Sequence, residues 1–461
     1  MNRWNGKRIL IIGAARQGQA LARFLSQKGA RVILNDKRSR EQMKEEMKGL
    51  VNFSIEWVLG DHPSDLLDRV ELVCLSGGVP LSLPFIVEAQ KRGLPLSNDS
   101  QIFLESVQAA VIGITGSAGK TTTTTLVGRM AQAALAPSQK AWVGGNIGLP
   151  LVEYLPEIKK NDIVVLELSS FQLEQMTLSP HIAAVLNITP NHLDRHLAMQ
   201  AYTSAKARIL QFQGPSDIAI LDREDEGSSR LRDLVAGQLI TFGIGRPTTP
   251  QETAVFVENE VLLLQEKGQI TPIMGLKTIQ LRGRHNLRNV LAACAIGHAA
   301  KFSIDSMIAA IEGFAGVEHR LEMVRNWRGI TWINDSIATA PERTLAALAS
   351  FTEPIVLLLG GRDKNLPWDE LAAQIRARVK HVILFGEAAE IISRAIGQPG
   401  ANDELISIQK TNGFEDALKS AAAVAESGNV VLLSPGCTSY DSFHDFEERG
   451  NTFKKWVNQL P

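Results

Sequence analysis

Short runs of apolar, largely β-branched residues recur along the chain, and stretches of mixed polarity separate them. The runs at 8–12 (RILII), 31–34, 71–75, 110–114, 163–166, 182–186, 355–359, 381–385 and 430–433 lack strict polar alternation, so they read as strands buried on both faces. The stretches at 19–27, after Lys120, at 200–212 and across 286–312 read as helical. Strands alternating with helices predict an α/β fold, with parallel sheets covered on both sides. The pattern starts afresh twice, which predicts three α/β domains at 1–106, 107–317 and 318–461, the last following the turn-forming Gly313 and Gly316. No apolar stretch approaches the roughly 20 residues of a membrane helix. The start, MNRWNGKRILIIG, runs straight into a strand and does not read as a signal peptide.

The totals refine this only slightly. A chain of 461 residues is too long for one core. With 48 basic and 49 acidic residues the net charge is -1, which announces no nucleic-acid or membrane partner, although a local basic pocket could hold phosphates. Cys74, Cys294 and Cys437 are odd in number and far apart, with no metal-ligand spacing and no disulfide framework, so a reducing cytoplasm is the expected compartment.

Chemistry enters with V-I-G-I-T-G-S-A-G-K-T-T at 111–122, a strand, a glycine turn and a helix start. Gly116 and Gly119 permit a tight turn with inward N–H groups, Lys120 can neutralise phosphate charge, and Thr121 can offer a hydroxyl to Mg²⁺. Ile114 stands where the longer phosphate-loop pattern has glycine, so the match is to the shorter T-G-x-x-G-K-T form. The bland alternative is a glycine-rich helix cap with a solvated lysine. A second turn, I-G-A-A-R-Q-G at 12–18, also follows a strand, with Asp36 near the end of the next one. Gly13 and Gly18 fit a dinucleotide fingerprint, but Ala15 replaces its middle glycine, so a plain βα turn fits equally. S-G-G-V-P at 76–80 could add backbone donors at the same edge.

Further motifs follow in order: G-G-N-I-G at 144–148, E-L-S-S-F-Q-L-E at 167–174, N-I-T-P-N-H-L-D-R at 187–195 and A-K-A-R at 205–208. Then come G-R-H-N at 283–286, E-H-R-L-E at 318–322, N-D-S at 334–336, G-G-R-D-K at 360–364, L-S-P-G-C at 433–437 and D-F-E-E-R-G at 445–450. Together they resemble the Mur ligases of peptidoglycan synthesis, in their glutamate-adding branch, over essentially the whole chain.

The resemblance implies a three-domain architecture: a Rossmann-like N-terminal domain for a uridine nucleotide, a central P-loop domain for ATP, and a C-terminal Rossmann-like domain for the amino acid. It implies ATP-dependent ligation of D-glutamate to UDP-N-acetylmuramoyl-L-alanine through an acyl phosphate, with Mg²⁺, by a cytoplasmic monomer. Lys120, His192 and a carbamylated Lys206 would be catalytic. Gly116, Ser117, Ala118, Gly119, Lys120, Thr121, Thr122, Asn286, Asn289, Arg320 and Asp335 would meet ATP. Thr121, Glu167, His192 and the Lys206 carbamate would hold the metal, with Asp194 supporting His192. Arg16, Gln17, Asp36, Lys37, Arg38, Gly78, Asn146 and His192 fall on nucleotide-substrate positions. Thr339, Lys364, Ser439, Tyr440 and Phe446 fall on glutamate positions. Each has an ordinary alternative: a helical lysine is usually solvated, a lone histidine usually structural, and Phe446 could be core.

One position departs from the family. Where its motif reads N-D-S-K-A-T-N, this chain has N-D-S-I-A-T-A at 334–340, with Ile337 for the lysine. Lys364 is the obvious remaining cation, and Arg343 is a candidate replacement. The departure leaves D- against L-glutamate open. A folylpolyglutamate-synthase-like ligase is a further alternative, against which stands the separate domain before the P-loop. A dehydrogenase is disfavoured by Ala15, and a P-loop switch would not need the region around Lys364 and Phe446.

Overall fold

A computed structural model describes residues 3–148, 150–190, 193–196, 198–281, 283–363, 366–401 and 403–461, the side chains of residues 193 and 194 excepted. Contacts divide the chain into two compact units, Met1–Phe314 and Ala315–Pro461.

The first unit holds two sheets. In one, Ile55–Leu59, Arg31–Asp36, Arg8–Ile12, Leu72–Leu75 and Leu96–Ser97 lie side by side in that order, all parallel. Ile9 and Ile11 pack with Leu21 and Phe24 of the helix Arg16–Gln27, while Leu10 and Ile12 pack with Phe85 and Ile86 of the helix Pro84–Lys91. Both strand faces are covered, which is why the run is continuously apolar. Strand order reverses between Arg8–Ile12 and Leu72–Leu75, so the turns after these strands flank the crevice where such sheets bind ligands.

The second sheet runs Ala141–Gly145, Ile163–Glu167, Ala110–Thr115, Ile182–Val185, Ile218–Asp222, Gln238–Phe242 and Thr253–Glu258, all parallel. Two antiparallel strands, Val261–Glu266 and Gln269–Gly275, extend its edge. The turn at Asn259 and Glu260 has φ of 51° and 59°, as a tight hairpin of this hand requires. The stretch expected to be helical across 286–312 is two helices, Arg284–Ala299 and Ile304–Ile311. Lys301 between them sits at φ 60°, and the Ser303 side chain caps the second.

In the second unit, Ile330–Asn334, Val430–Leu433, Ile355–Gly360, Val379–Phe385 and Ser407–Lys410 form a parallel sheet, with Glu322–Trp327 antiparallel at one edge. Leu357 and Leu359 face one core layer and Val356 and Leu358 the other. Among the described residues no helix is long and apolar enough to cross a membrane.

Candidate active site

The P-loop leaves the strand Ala110–Thr115 and enters the helix Lys120–Ala134. Its neighbouring strands end at Glu167 and Val185, so three motif loops meet at one sheet edge. Gly119 has φ 80°, and a Cβ there would lie 2.1 Å from Asn289 Oδ1. Only glycine fits both conditions, and the close approach brings Asn289 against the loop. The Asn289 amide donates to Asn286 Oδ1 at 3.1 Å.

The loop is latched to the segment after Ile182–Val185. Ser117 N donates to the Asn187 carbonyl at 2.9 Å, and Ala118 N to Asn187 Oδ1 at 2.8 Å. Ser117 Oγ donates to the Thr189 carbonyl at 2.9 Å and accepts from the Tyr202 hydroxyl at 3.0 Å. Lys120 Nζ folds across its own loop to the Gly116 carbonyl at 2.8 Å. Thr122 is buried at the start of the helix.

Glu167 is 1% exposed. Its Oε2 accepts from Thr121 Oγ1 at 3.0 Å and its Oε1 from the Asn146 amide at 2.9 Å. Lys206 is likewise 1% exposed, in the helix Met199–Gln211. Its Nζ donates to the Gly116 carbonyl at 2.8 Å and lies 4.7 Å from the centre of the Tyr202 ring. Burial, and then the charge of Lys120, push this ammonium well below the ordinary lysine range, and Glu167 pulls it back. A buried lysine with a depressed pKa is a reactive amine rather than a solvated tail.

One buried carboxylate beside a hydroxyl is a sparse oxygen set. It fits Mg²⁺, which keeps several waters and takes further oxygens from phosphates. Among the described residues no three acidic, histidine or cysteine side chains cluster as a self-sufficient metal cage.

At the first sheet, Asp36 accepts from Ala14 N at 2.8 Å and holds Arg38 through Nε at 3.0 Å and Nη2 at 2.9 Å. Burial raises this carboxyl, but the Arg38 and backbone hydrogen bonds outweigh it and set it at about 2. Asp36 therefore organises the turn as a fixed anion. A Cβ on Gly18 would meet the Gly13 carbonyl at 1.9 Å, so glycine lets the helix start close against the turn. Arg16, Lys37 and Gly78 are exposed at this edge, and Gln17 Nε2 reaches the Gly145 carbonyl of the second sheet at 3.4 Å.

In the second unit, Asp335 is 5% exposed and accepts from Ser434 Oγ at 2.8 Å and Leu321 N at 3.2 Å. Burial raises its carboxyl to about 7, against the Ser434 hydrogen bond. Arg320 is exposed between His319 and Leu321, both at positive φ. Ile337 and Thr339 are half-buried, and Arg343 Nη1 donates to the Ile337 carbonyl at 3.3 Å. Ser439 is buried, Tyr440 is 63% exposed, and Phe446 begins the helix Phe446–Asn458 with its ring edge toward His319, 6.2 Å between centroids. His192 and Lys364 lie outside the described residues, as does the Asp194 side chain.

Sequence reasoning missed Arg449. It is fully buried and donates to Ser336 Oγ, the Ser336 carbonyl and the carbonyls of Gly360 and Cys437. One guanidinium thus ties the 334–339 loop to two others. Burial lowers it to about 10, with Asp441 opposing. Its sequence signals are its place in the D-F-E-E-R-G motif at 445–450 and on the buried stripe with Gly450, Phe453 and Val457. Tyr202 was also missed, although it lies one turn before Lys206 on the same helix.

Residues 7–97 match the Mur ligase MurD-like N-terminal domain, residues 114–297 the Mur ligase middle domain, and residues 319–437 the Mur ligase glutamate ligase domain. The chain is 38% identical over 454 residues to the UDP-N-acetylmuramoylalanine--D-glutamate ligase of Symbiobacterium thermophilum, covering 98% of each chain. It is also 38% identical over 457 residues to the enzyme of that name from Desulfitobacterium hafniense, again covering 98% of each. Among solved structures, the UDP-N-acetylmuramate-alanine ligase MurC of Thermotoga maritima superposes with a TM-score of 0.56 at 20% identity, covering 98% of this chain and 99% of that one. MurF of Acinetobacter baumannii gives 0.57 at 17% identity over 99% of this chain and 94% of that one. E. coli FolC in complex with ADP gives 0.55 at 14% identity, over 78% of this chain and 92% of that one. These structural likenesses show the fold. With the three matched domains and relatives of this identity over nearly the full length, the chain belongs to the Mur ligase family, in the branch of the UDP-N-acetylmuramoylalanine–D-glutamate ligases.

Proposed function

We propose that this protein uses ATP to join D-glutamate to UDP-N-acetylmuramoyl-L-alanine in the cytoplasm, acting as a monomer. A carboxylate oxygen of the alanine attacks the γ-phosphorus of ATP, and ADP leaves. The glutamate amine, having lost its proton, then attacks the acyl carbon, an amide bond forms and phosphate departs. The observation that carries this reading is the Lys120–Thr121–Glu167–Lys206 constellation around one P-loop, in a chain of this family.

Phosphoryl transfer asks a protein mainly for positioning and charge. The N–H groups of Gly116–Thr122 cradle phosphates. Lys120 releases the Gly116 carbonyl and turns to the transferring group, where His192 joins it. Asn286, Asn289, Arg320 and Asp335 complete the nucleotide contacts. Thr121 and Glu167 would hold Mg²⁺, with His192 and the Lys206 carbamate. The ion would supply neutralising charge beside the phosphates. The ammonium of Lys206 first gives up one proton; the neutral amine then attacks CO₂ and loses a second, so that a neutral side chain becomes an anionic carbamate. The depressed pKa of Lys206 supports that step, since the neutral amine is the nucleophile.

Residues 1–106 would hold the uridine nucleotide, through Arg16, Gln17, Asp36, Lys37, Arg38 and Gly78, joined by Asn146 and His192. Residues 107–317 would hold ATP. Residues 318–461 would hold glutamate, through Thr339, Lys364, Ser439, Tyr440 and Phe446. L-Glutamate is the second reading, carried by Ile337. ADP release measured with UDP-N-acetylmuramoyl-L-alanine and each glutamate enantiomer decides between them. Release requiring the nucleotide and D-glutamate supports the proposal. Release indifferent to both sinks it, and a clear preference for the L-enantiomer replaces the amino acid.

A further inference from the structure

One cation at the crevice edge of the first sheet has no role in the scheme above. Arg195 belongs to the short helix Leu193–His196, within the first unit. Its guanidinium carbon lies 4.4 Å from the centre of the Phe171 ring, and Nη1 donates to the Gly78 carbonyl at 3.3 Å. Gly78 lies in the loop after Leu72–Leu75, the strand that borders the crevice. The contact therefore runs from a loop of the second sheet to a loop of the first. Gln17 crosses the same seam to the Gly145 carbonyl.

The platform under Arg195 is itself built. The Phe171 ring stacks on the buried His196 imidazole, 5.1 Å between centroids and 2° from parallel. His196 Nε2 meets Ser170 Oγ at 2.9 Å, and its Nδ1 lies 3.0 Å from Glu174 Oε1. Glu174, the carboxylate on which the Arg195 charge acts, instead lies against the His196 imidazole. Arg195 is left with an aromatic face and one neutral carbonyl, and it makes no salt bridge among the described residues. A guanidinium has five donors in a planar fork suited to phosphate oxygens. A methyl built on Gly78 would meet nothing within 4 Å, so the loop is open on that side.

We propose that Arg195 is a substrate-binding residue that pairs with the diphosphate of UDP-N-acetylmuramoyl-L-alanine across this seam; the inference rests on the function proposed above. Holding the fork on Phe171 beforehand removes most of the ordering cost of binding. His196, Ser170 and Glu174 are positioning residues that act through the ring.

Arg195→Gln keeps most of the length and removes the charge, whereas Arg195→Lys keeps the charge and loses the fork. Affinities of the full chain for UDP-N-acetylmuramoyl-L-alanine and for uridine are measured by titration calorimetry and displacement, with KM for ATP beside them. Arg195→Gln should weaken the nucleotide sugar about tenfold or more, and Arg195→Lys should recover part of that. Uridine affinity and KM for ATP should stay within twofold. A nucleotide-sugar affinity within twofold of wild type in Arg195→Gln overturns the proposal. So does an equal loss for uridine, which would make Arg195 only a fastener of the Gly78 loop. A wild-type chain that binds no nucleotide sugar overturns both this inference and the function beneath it.

Discussion

Two residues depart from what their positions ordinarily mean. Lys206 is a helical lysine that is 1% exposed, and the positive charge of Lys120 presses it further toward neutrality. If its carbamate is what the site uses, Lys206→Ala should lower kcat by about a hundredfold or more, and added acetate or formate should return part of it. Full activity in the alanine variant would rule the carbamate out. Arg343 stands in the first turn of the helix Pro341–Leu348, where the helix dipole disfavours a cation. It nevertheless holds the carbonyl of Ile337, the residue that replaces the family lysine. Substrate carboxylates offer the compensating charge. Arg343→Ala should therefore raise KM for glutamate about tenfold and leave KM for ATP within twofold. Ile337→Lys in that background should bring it partly back. An unchanged KM for glutamate would return Arg343 to the status of a surface arginine.

At the scale of elements, the 334–339 loop carries a proton-linked weak point. Asp335 holds its proton up to about pH 7 in the fold, against an ordinary 3.8. Between those values the folded state binds a proton that the unfolded chain has released, so stability falls as pH rises through this window and levels off above it. Hydrogen exchange of the strands Ile330–Asn334 and Val430–Leu433 should thus be slower at pH 5 than at pH 7 after correction for intrinsic rates. Asp335→Asn should flatten that difference, and an undiminished difference in the variant would assign it to another group. How legible each element was follows from what shaped it. Val430–Leu433 appears in the sequence residue for residue, because a strand covered on both faces must be apolar throughout. The strands at 253–275 did not: the turn Asn259-Glu260 lacks the glycine that usually marks such a hairpin, and only the second turn, Lys267-Gly268, carries it. The break at Lys301 is equally silent, since a lysine rarely signals a left-handed residue. The P-loop was plain because backbone geometry demands Gly119. Arg449 and Arg195 were not, because what each touches is distant in sequence.

At the scale of the whole chain, the contact pattern assigns one complete set of cores to Met1–Phe314 and another to Ala315–Pro461. All the residues proposed for the uridine nucleotide, and Arg195 with them, fall in the first unit. A ligand that binds only the native form stabilises it by about 2.7 kcal/mol at a hundred times its Kd. That free energy is delivered to whichever cooperative unit holds the site, which for domains of this size is a shift of a few degrees. Scanning calorimetry of the full chain should resolve two transitions. UDP-N-acetylmuramoyl-L-alanine alone should move one of them by about 2–4 °C and leave the other in place. Hydrogen exchange under the same conditions identifies which is which, because protection should rise in Arg8–Ile12 and Leu72–Leu75 and not in Ile355–Gly360. Equal shifts of both transitions, or added protection confined to the second unit, would mean that the nucleotide draws essential contacts from Ala315–Pro461. The assignment of its site to the first unit would then be wrong.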